Sequence, residues 1–196
     1  MIKLGITGGI GSGKTTVATL FELHGIPVYN ADKETQKLNN SSVEIKQQLT
    51  LHFGKNLYEE GVLNKTKFAE IIFNNPDKLA LANSIIHPQV LKHFKNWCLQ
   101  HSHHSIVALE AAILFESKFH LHLDKVITVY APLNLRVARV AKRDNVDEDL
   151  VKNRIKNQMP EKEKINLAHY VVINDSESSL IEQVQNLLDE ITQHNI

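Results

Sequence analysis

Gly8-Gly9-Ile10-Gly11-Ser12-Gly13-Lys14-Thr15 fits G-x-x-x-x-G-K-[ST], the spacing of a phosphate-cradling loop, at every fixed position. The flanks agree with it. Ile2 to Thr7 is a short, largely apolar run that predicts a strand, and Thr16-Val17-Ala18-Thr19-Leu20-Phe21 predicts the start of a helix. Glycines let successive backbone N–H groups converge on phosphate oxygens, where side chains would block the approach. A helix beginning near Lys14 adds its positive end. Lys14 supplies a mobile charge for the outer phosphates, and the Thr15 hydroxyl is a ligand type for Mg²⁺. The run Gly8 to Thr16 is therefore the candidate ATP-binding loop. A dinucleotide fingerprint is excluded here, because it needs glycine where Lys14 stands.

The 196 residues can bury a substantial core, as one domain or one domain with insertions. Lys plus Arg number 22 and Asp plus Glu number 22, so no bulk charge argues for nucleic acid or an anionic membrane as a partner. The single cysteine, Cys98, permits no intramolecular disulfide and suits a reducing cytosol. No secretory pattern precedes the first strand, and no apolar run approaches the roughly 20 residues of a membrane helix. A soluble, cytoplasmic monomer is the expectation.

After the loop, residues 14–24 predict a helix ending at Gly25, and Ile26-Pro27-Val28-Tyr29 a second strand. Asn30-Ala31-Asp32 then opens a helical run to about Asn40. A carboxylate just beyond the second strand of an open α/β sheet lies at its ligand-binding edge, so Asp32 is placed to face a γ-phosphate. Helix capping by Asn30 or Asp32 is the competing reading. Residues 42–104 then break the alternation of strand and helix. Ser42 to His52, Lys65 to Phe73 and Lys78 to Trp97 have helical spacing, which predicts an insertion building a second binding surface. Pro88 predicts that a helix begins or kinks at Ile85-Ile86-His87-Pro88, leaving His87 near a helix start in a structural or a catalytic role. His101, His103 and His104, like His120 and His122, lack zinc-site spacing and read as solvated loop.

Ile106-Val107-Ala108-Leu109 is a continuous apolar run, as in a strand buried on both faces, and it ends in Glu110. An acid there is either a second magnesium-side carboxylate or an ordinary strand end. Residues 126–130 and 170–173 predict two further strands. The stretch 178–192 predicts a closing helix with Leu180, Ile181, Val184, Leu187, Leu188 and Ile191 on one face. Between those strands Arg136, Arg139 and Arg143 recur at helical spacing on one face. The polar segment that follows reads either as a mobile lid over a triphosphate or as a solvated helix pair with ion pairs such as Arg143 with Asp147.

Taken together, the chain resembles the dephospho-coenzyme A kinase family nearly end to end. Thr7 to Thr15 matches that family's loop more closely than the generic pattern does. Ala31-Asp32 matches its catalytic acid. Gly61-Val62-Leu63-Asn64, Ile71-Ile72-Phe73 and Ile85-Ile86-His87-Pro88 match its coenzyme-binding insertion, and Glu110 to Glu116 matches an acidic segment after a strand. Arg139, Arg143-Asp144, Gln158 and Asn174 match its lid and the exit from the last strand. Asn30, Lys65, Ala112 and His169 depart from the pattern, replacing an acid, an arginine, a proline and an aspartate.

The resemblance implies a three-layer P-loop NTPase fold of class α/β with a parallel sheet of about five strands. Its core would comprise about 1–40, 105–135 and 168–196, with an insertion at about 42–104 and a lid at about 136–166. It also implies transfer of the ATP γ-phosphate to the ribose 3′-hydroxyl of dephospho-coenzyme A. Lys14, Asp32 and Arg139 would be catalytic, and Arg143 would join the loop in binding ATP. Asp32, Asn64, Lys65, His87, Pro88 and Glu110 would bind substrate. Thr15 would ligate Mg²⁺, with Glu110 through water. Another small-molecule kinase of this fold, acting on a nucleoside monophosphate or shikimate, and a non-catalytic nucleotide binder are the alternatives.

Overall fold

A strand with an unbroken apolar run has to be covered on both sides, and Ile106–Glu110, apolar up to its closing acid, is buried at all five positions. In the computed structural model, which describes residues 1–73 and 75–193, this strand lies inside a five-stranded sheet. Asn74 of the 42–104 stretch and residues 194–196 of the 168–196 stretch lie outside the described residues. In chain order the elements begin with β1 (Ile2–Thr7), α1 (Lys14–Leu23), β2 (Val28–Asn30), α2 (Ala31–Ser41) and α3 (Val43–Phe53). There follow β3 (Tyr58–Glu59), β4 (Val62–Leu63), α4 (Lys65–Phe73), α5 (Pro76–Gln100) and β5 (Ile106–Glu110). The chain ends through β6 (Lys125–Tyr130), α6 (Leu133–Asp144), α7 (Glu148–Lys156), α8 (Glu161–Leu167), β7 (Tyr170–Ile173) and α9 (Leu180–Gln193).

The sheet order is β2-β5-β1-β6-β7, and β1 pairs in parallel with both β5 and β6, as β6 does with β7. Register sets Ile6 beside Glu110 and Thr7 beside Thr128, so the central strands end together. Ligands of open parallel sheets bind beyond those ends. Met1–Tyr29 and the chain from His101 onward form one compact unit, and Asn30–Gln100 forms another.

In the sheet unit, Leu4, Ile6, Ala108, Ile127 and Val129 of the strands pack with Val17 and Phe21 of α1 and with Val184, Leu187, Leu188 and Ile191 of α9. Ile181 does not join them and is 66% exposed. At about 100° per residue it lies at the far edge of the α9 stripe, beyond what the sheet covers.

The helical unit has its own buried side chains, among them Ile45, Leu49, Leu57, Leu63, Phe68, Ile86, Val90 and Phe94. It contains one small hairpin, β3–β4, too short to show periodicity in sequence. Glu60 and Gly61, both at positive φ, turn it in the manner of a two-residue hairpin loop. Helix α5 sets aside one of the two readings of Pro88, a helix start. The helix begins at Pro76 and runs through Pro88 to Gln100, so no helix starts at His87. Its buried residues Ala82, Ile86, Val90, Phe94 and Cys98 recur every fourth position and hold the helix continuous. That packing outweighs the roughly 3 kcal/mol that an interior proline costs.

The His169 departure also has a physical account. The imidazole Nδ1 accepts the Val126 N–H at 3.1 Å while the His169 backbone N–H donates to Val126 O at 2.8 Å, which ties the start of β7 to β6. A carboxylate could accept the same bond. Burial, and then the charge of Lys125, push the imidazole pKa down, as an acceptor nitrogen requires. The neutral form is favoured in the folded state. Its contribution is therefore complete above about pH 6.5 and declines as pH falls from there toward the lowered folded value. Thermal unfolding between pH 8 and 5 should show the parent losing stability relative to His169→Asp on the acid side, whereas parallel curves would exclude this role.

Candidate active site

Helix starts usually carry a side-chain cap, and most of those here do: Asn30 for α2, Ser42 for α3, Asn64 for α4, Asn75 for α5, Asp147 for α7 and Ser179 for α9. Helix α1 does not. It starts from Gly13 in the left-handed conformation, with no side-chain cap and no acid in its first turn. Its positive end is left to an outside anion. Gly13 could not be another residue, since φ is +97° and the Asn174 amide occupies the space of a Cβ. That amide donates from Nδ2 to Ser12 O at 2.8 Å.

The rest of the loop is shaped by its own bonds. Ser12 N–H and Lys14 Nζ both donate to Gly9 O, at 3.1 and 3.2 Å. Thr15 Oγ1 donates to Glu110 Oε1 at 2.8 Å, which joins the start of α1 to the end of β5. Thr16 follows on the exposed side of α1. Gly8 and Gly11 leave no room for side chains against Val129 O and Arg136 O respectively.

The three arginines of α6 do not act alike. Arg136 is 2% exposed and donates from Nε to Ile10 O at 3.0 Å, with Nη1 3.3 Å from Glu161 Oε1. Arg139 forks onto the exit of β7, bonding Asn174 O and Oδ1 at 3.2 Å and Ser176 Oγ at 2.9 Å. Arg143 faces outward and pairs with Asp144 at 2.8 Å, not with Asp147. Asp147 is committed to capping α7 through the Asp149 N–H. The hydrogen bonds from Arg143, with that from Arg154, hold the Asp144 carboxyl below its ordinary range.

The segment after α7 is fastened rather than loose. Gln158 Oε1 accepts the Ile10 N–H at 2.8 Å. The Met159 N–H donates to Glu116 Oε1 at 2.9 Å, and the fully buried Lys164 bonds both Glu116 Oε1 and Ala112 O at 2.9 Å. Burial raises the Glu116 pKa, but the Met159 N–H and Lys164 outweigh it, leaving a net lowering. The Ala112 departure keeps what this contact uses, a backbone carbonyl. Spacing alone could not disclose Arg136 or Lys164 as buried, because each borrows its counter-charge from a distant segment.

In the helical unit, Asn30 settles the capping question. Its Oδ1 accepts the Lys33 N–H at 2.9 Å, and Asp32 stands exposed in the first turn of α2 without that duty. Asn64 performs the same service for α4, accepting from Lys67 N–H at 3.0 Å while its amide donates to Glu59 at 2.8 Å. Lys65 donates to Gln36 at 3.0 Å. His87 is half-buried within α5, beside an exposed Pro88, and burial lowers its pKa. The histidines 101, 103 and 104 gather with ring centroids 4.1 to 6.1 Å apart, and among the described residues no group of three His, Cys, Asp or Glu could hold a metal. Among the described residues, no helix is long and apolar enough to cross a membrane.

The loop, the Thr15–Glu110 contact and the basic α6 coincide with a family match. The family model for dephospho-CoA kinase matches residues 2–179. The chain belongs to the dephospho-CoA kinase family. A dephospho-CoA kinase of Bacteroides fragilis is 42% identical over 187 residues, 95% of this chain and 91% of that protein. One from Aquifex aeolicus is 34% identical over 194 residues, covering 98% of each. A crystal structure from Thermus thermophilus superposes with a TM-score of 0.83 at 30% identity, covering 98% of this chain and 97% of that one. The dephospho-CoA kinase of Campylobacter jejuni, at TM-score 0.70 and 24% identity over 99% and 98% of the two chains, shares the fold. So does shikimate kinase from Acinetobacter baumannii, at 0.54 and 18% over 100% and 96%.

The division of labour at the start of α2 is testable by stability alone. Asn30→Ala should cost about 1 kcal/mol in urea unfolding, as cap loss does, and Asp32→Asn should stay within about 0.5 kcal/mol of the parent. The reverse order would return the cap to Asp32.

Proposed function

We propose that this member of the dephospho-CoA kinase family transfers the γ-phosphate of ATP to the ribose 3′-hydroxyl of dephospho-CoA, giving CoA and ADP. The observation that carries the reading is the uncapped start of α1 at Gly13 and Lys14, where the Thr15 hydroxyl donates to the Glu110 carboxylate. Phosphoryl transfer passes through a loose transition state, so positioning and charge stabilisation are the protein's main contributions. The loop amides and the α1 dipole hold the phosphates. Lys14 exchanges its bond to Gly9 O for phosphate oxygens. Arg139 contributes its fork by exchanging Asn174 and Ser176 for the nucleotide, and Arg143 adds a further cation for it. Asp32, relieved of capping by Asn30, orients the hydroxyl and accepts its proton.

Thr15 and Glu110 present a hydroxyl and a carboxylate 2.8 Å apart, the hard oxygen donors that suit Mg²⁺. Those residues would hold the ion, directly and through water, and the ion when bound would neutralise phosphate charge. The helical unit, with Asn64, Lys65, His87 and Pro88, takes the coenzyme part. Because Met159 just before α8 and Lys164 within it are both pinned, lid motion within the 136–166 segment centres on residues 144–157. The protein works as a cytoplasmic monomer without nucleic acid or membrane partners.

The alternatives differ in the acceptor. ADP release measured by a coupled assay should depend on dephospho-CoA and not on nucleoside monophosphates or shikimate. The opposite dependence would assign another acceptor, and no ADP with any acceptor would leave a nucleotide binder. With the preferred acceptor, Asp32→Asn should lower kcat by about 10²–10⁴ while ATP affinity persists. Turnover near that of the parent would leave Asp32 without a catalytic role.

A further inference from the structure

Ile10 of the loop is held at both of its backbone groups by the chain that follows β6. Its N–H donates to Gln158 at 2.8 Å, and its C=O accepts from Arg136 Nε at 3.0 Å. Arg136 spends its other nitrogens on Glu161, 3.3 Å away, and on the space that Gly9 leaves by lacking a Cβ. Both carboxylate oxygens of Glu161 are buried and form no hydrogen bond, so the ion pair with Arg136 is what balances their charge. A buried pair of this kind is a poor source of stability, since desolvation offsets much of the attraction. Burial pulls the Arg136 pKa down even with Glu161 and Tyr130 opposing it.

What the pair does supply is direction. A trans peptide is planar, so the C=O of Ile10 and the N–H of Gly11 point opposite ways. Holding Ile10 O against Arg136 on the outside of the loop turns the Gly11 N–H inward. Gly11 sits at φ +80°, a conformation that glycine adopts without strain, with its open side packed against Arg136 O and Val140. We propose that Arg136, balanced by Glu161, is a positioning residue for ATP: it fixes the Ile10–Gly11 peptide so that the Gly11 N–H faces the phosphates. Gln158 fixes the preceding peptide in the same way, which orients the Gly9 carbonyl toward Ser12 and Lys14.

The inference rests on Gly8–Thr15 being the ATP loop, and the test separates the two. ATP affinity of the full chain is measured by calorimetry with Mg²⁺, beside KM for each substrate. Arg136→Lys keeps the charge but cannot reach Ile10 O and Glu161 together. It should raise the ATP Kd and KM about 10-fold, as loss of a charged hydrogen bond does, with KM for dephospho-CoA changed less than about twofold. Glu161→Gln keeps the shape and should raise the ATP Kd as well; the double variant should be no weaker than Arg136→Lys alone, because the two act as a unit. A parent-like ATP Kd in Arg136→Lys, or an equal rise in both KM values, overturns the proposal. If Arg136→Lys does not fold, Glu161→Gln decides alone, and an unchanged Kd overturns it. Lys14→Ala supplies the control. ATP binding that survives it removes the loop assignment itself, whereas loss there beside a parent-like Arg136→Lys removes only this inference.

Discussion

Leaving the start of a helix uncapped creates a demand that the rest of the chain has to protect. The first turn of α1 carries a concentration of positive potential with no side-chain cap from the loop before it and no acid within it. An arriving anion stabilises such an end, and the end is useful only if the loop keeps its shape until then. The glycines that permit the approach are also the residues that lose most entropy on ordering. The loop must therefore be braced from outside.

The braces come from segments far apart in sequence. Arg136 and Gln158 fasten Ile10, Asn174 fastens Ser12, and Glu110 fastens Thr15. Each is a hydrogen bond to a loop backbone group or to the loop's threonine, so none of them occupies the glycine amides. Behind them Glu116 and Lys164 anchor α8, with Lys164 fully buried. The satellite cluster of Val137, Val140 and Val151, on which Ile10 packs, gives this half of the fold an apolar floor. Charge inside a small protein is expensive, and here it is concentrated where backbone direction matters.

Much of this was legible in the sequence where local chemistry decides the outcome. The loop, the strands from Ile2, Ile106, Val126 and Tyr170, and the acid at the end of β5 follow from motif spacing and from apolar runs. Legibility failed where tertiary packing overrides a local rule. Pro88 reads as a helix start or a kink, yet no helix starts there, because α5 runs through it on a buried stripe that spans the site. Arg136, Arg139 and Arg143 share one face by periodicity, yet they end in three environments, because their partners come from Ile10 and Glu161, from Asn174 and Ser176, and from Asp144. Asn30 and Asp32 were equivalent as caps on paper; only the observed bond to Lys33 separates them. The family resemblance carried the activity, and the residues explain how the loop is kept ready for it.

The account's central claim is that phosphate held at Gly8–Thr15 passes to one particular hydroxyl. Phosphorus NMR of the product formed from ATP and dephospho-CoA tests it directly, because a ribose 3′-phosphomonoester has its own resonance and coupling to the sugar. The account predicts that resonance growing in step with ADP. Phosphate appearing only as the free ion, or on a different hydroxyl, would contradict it.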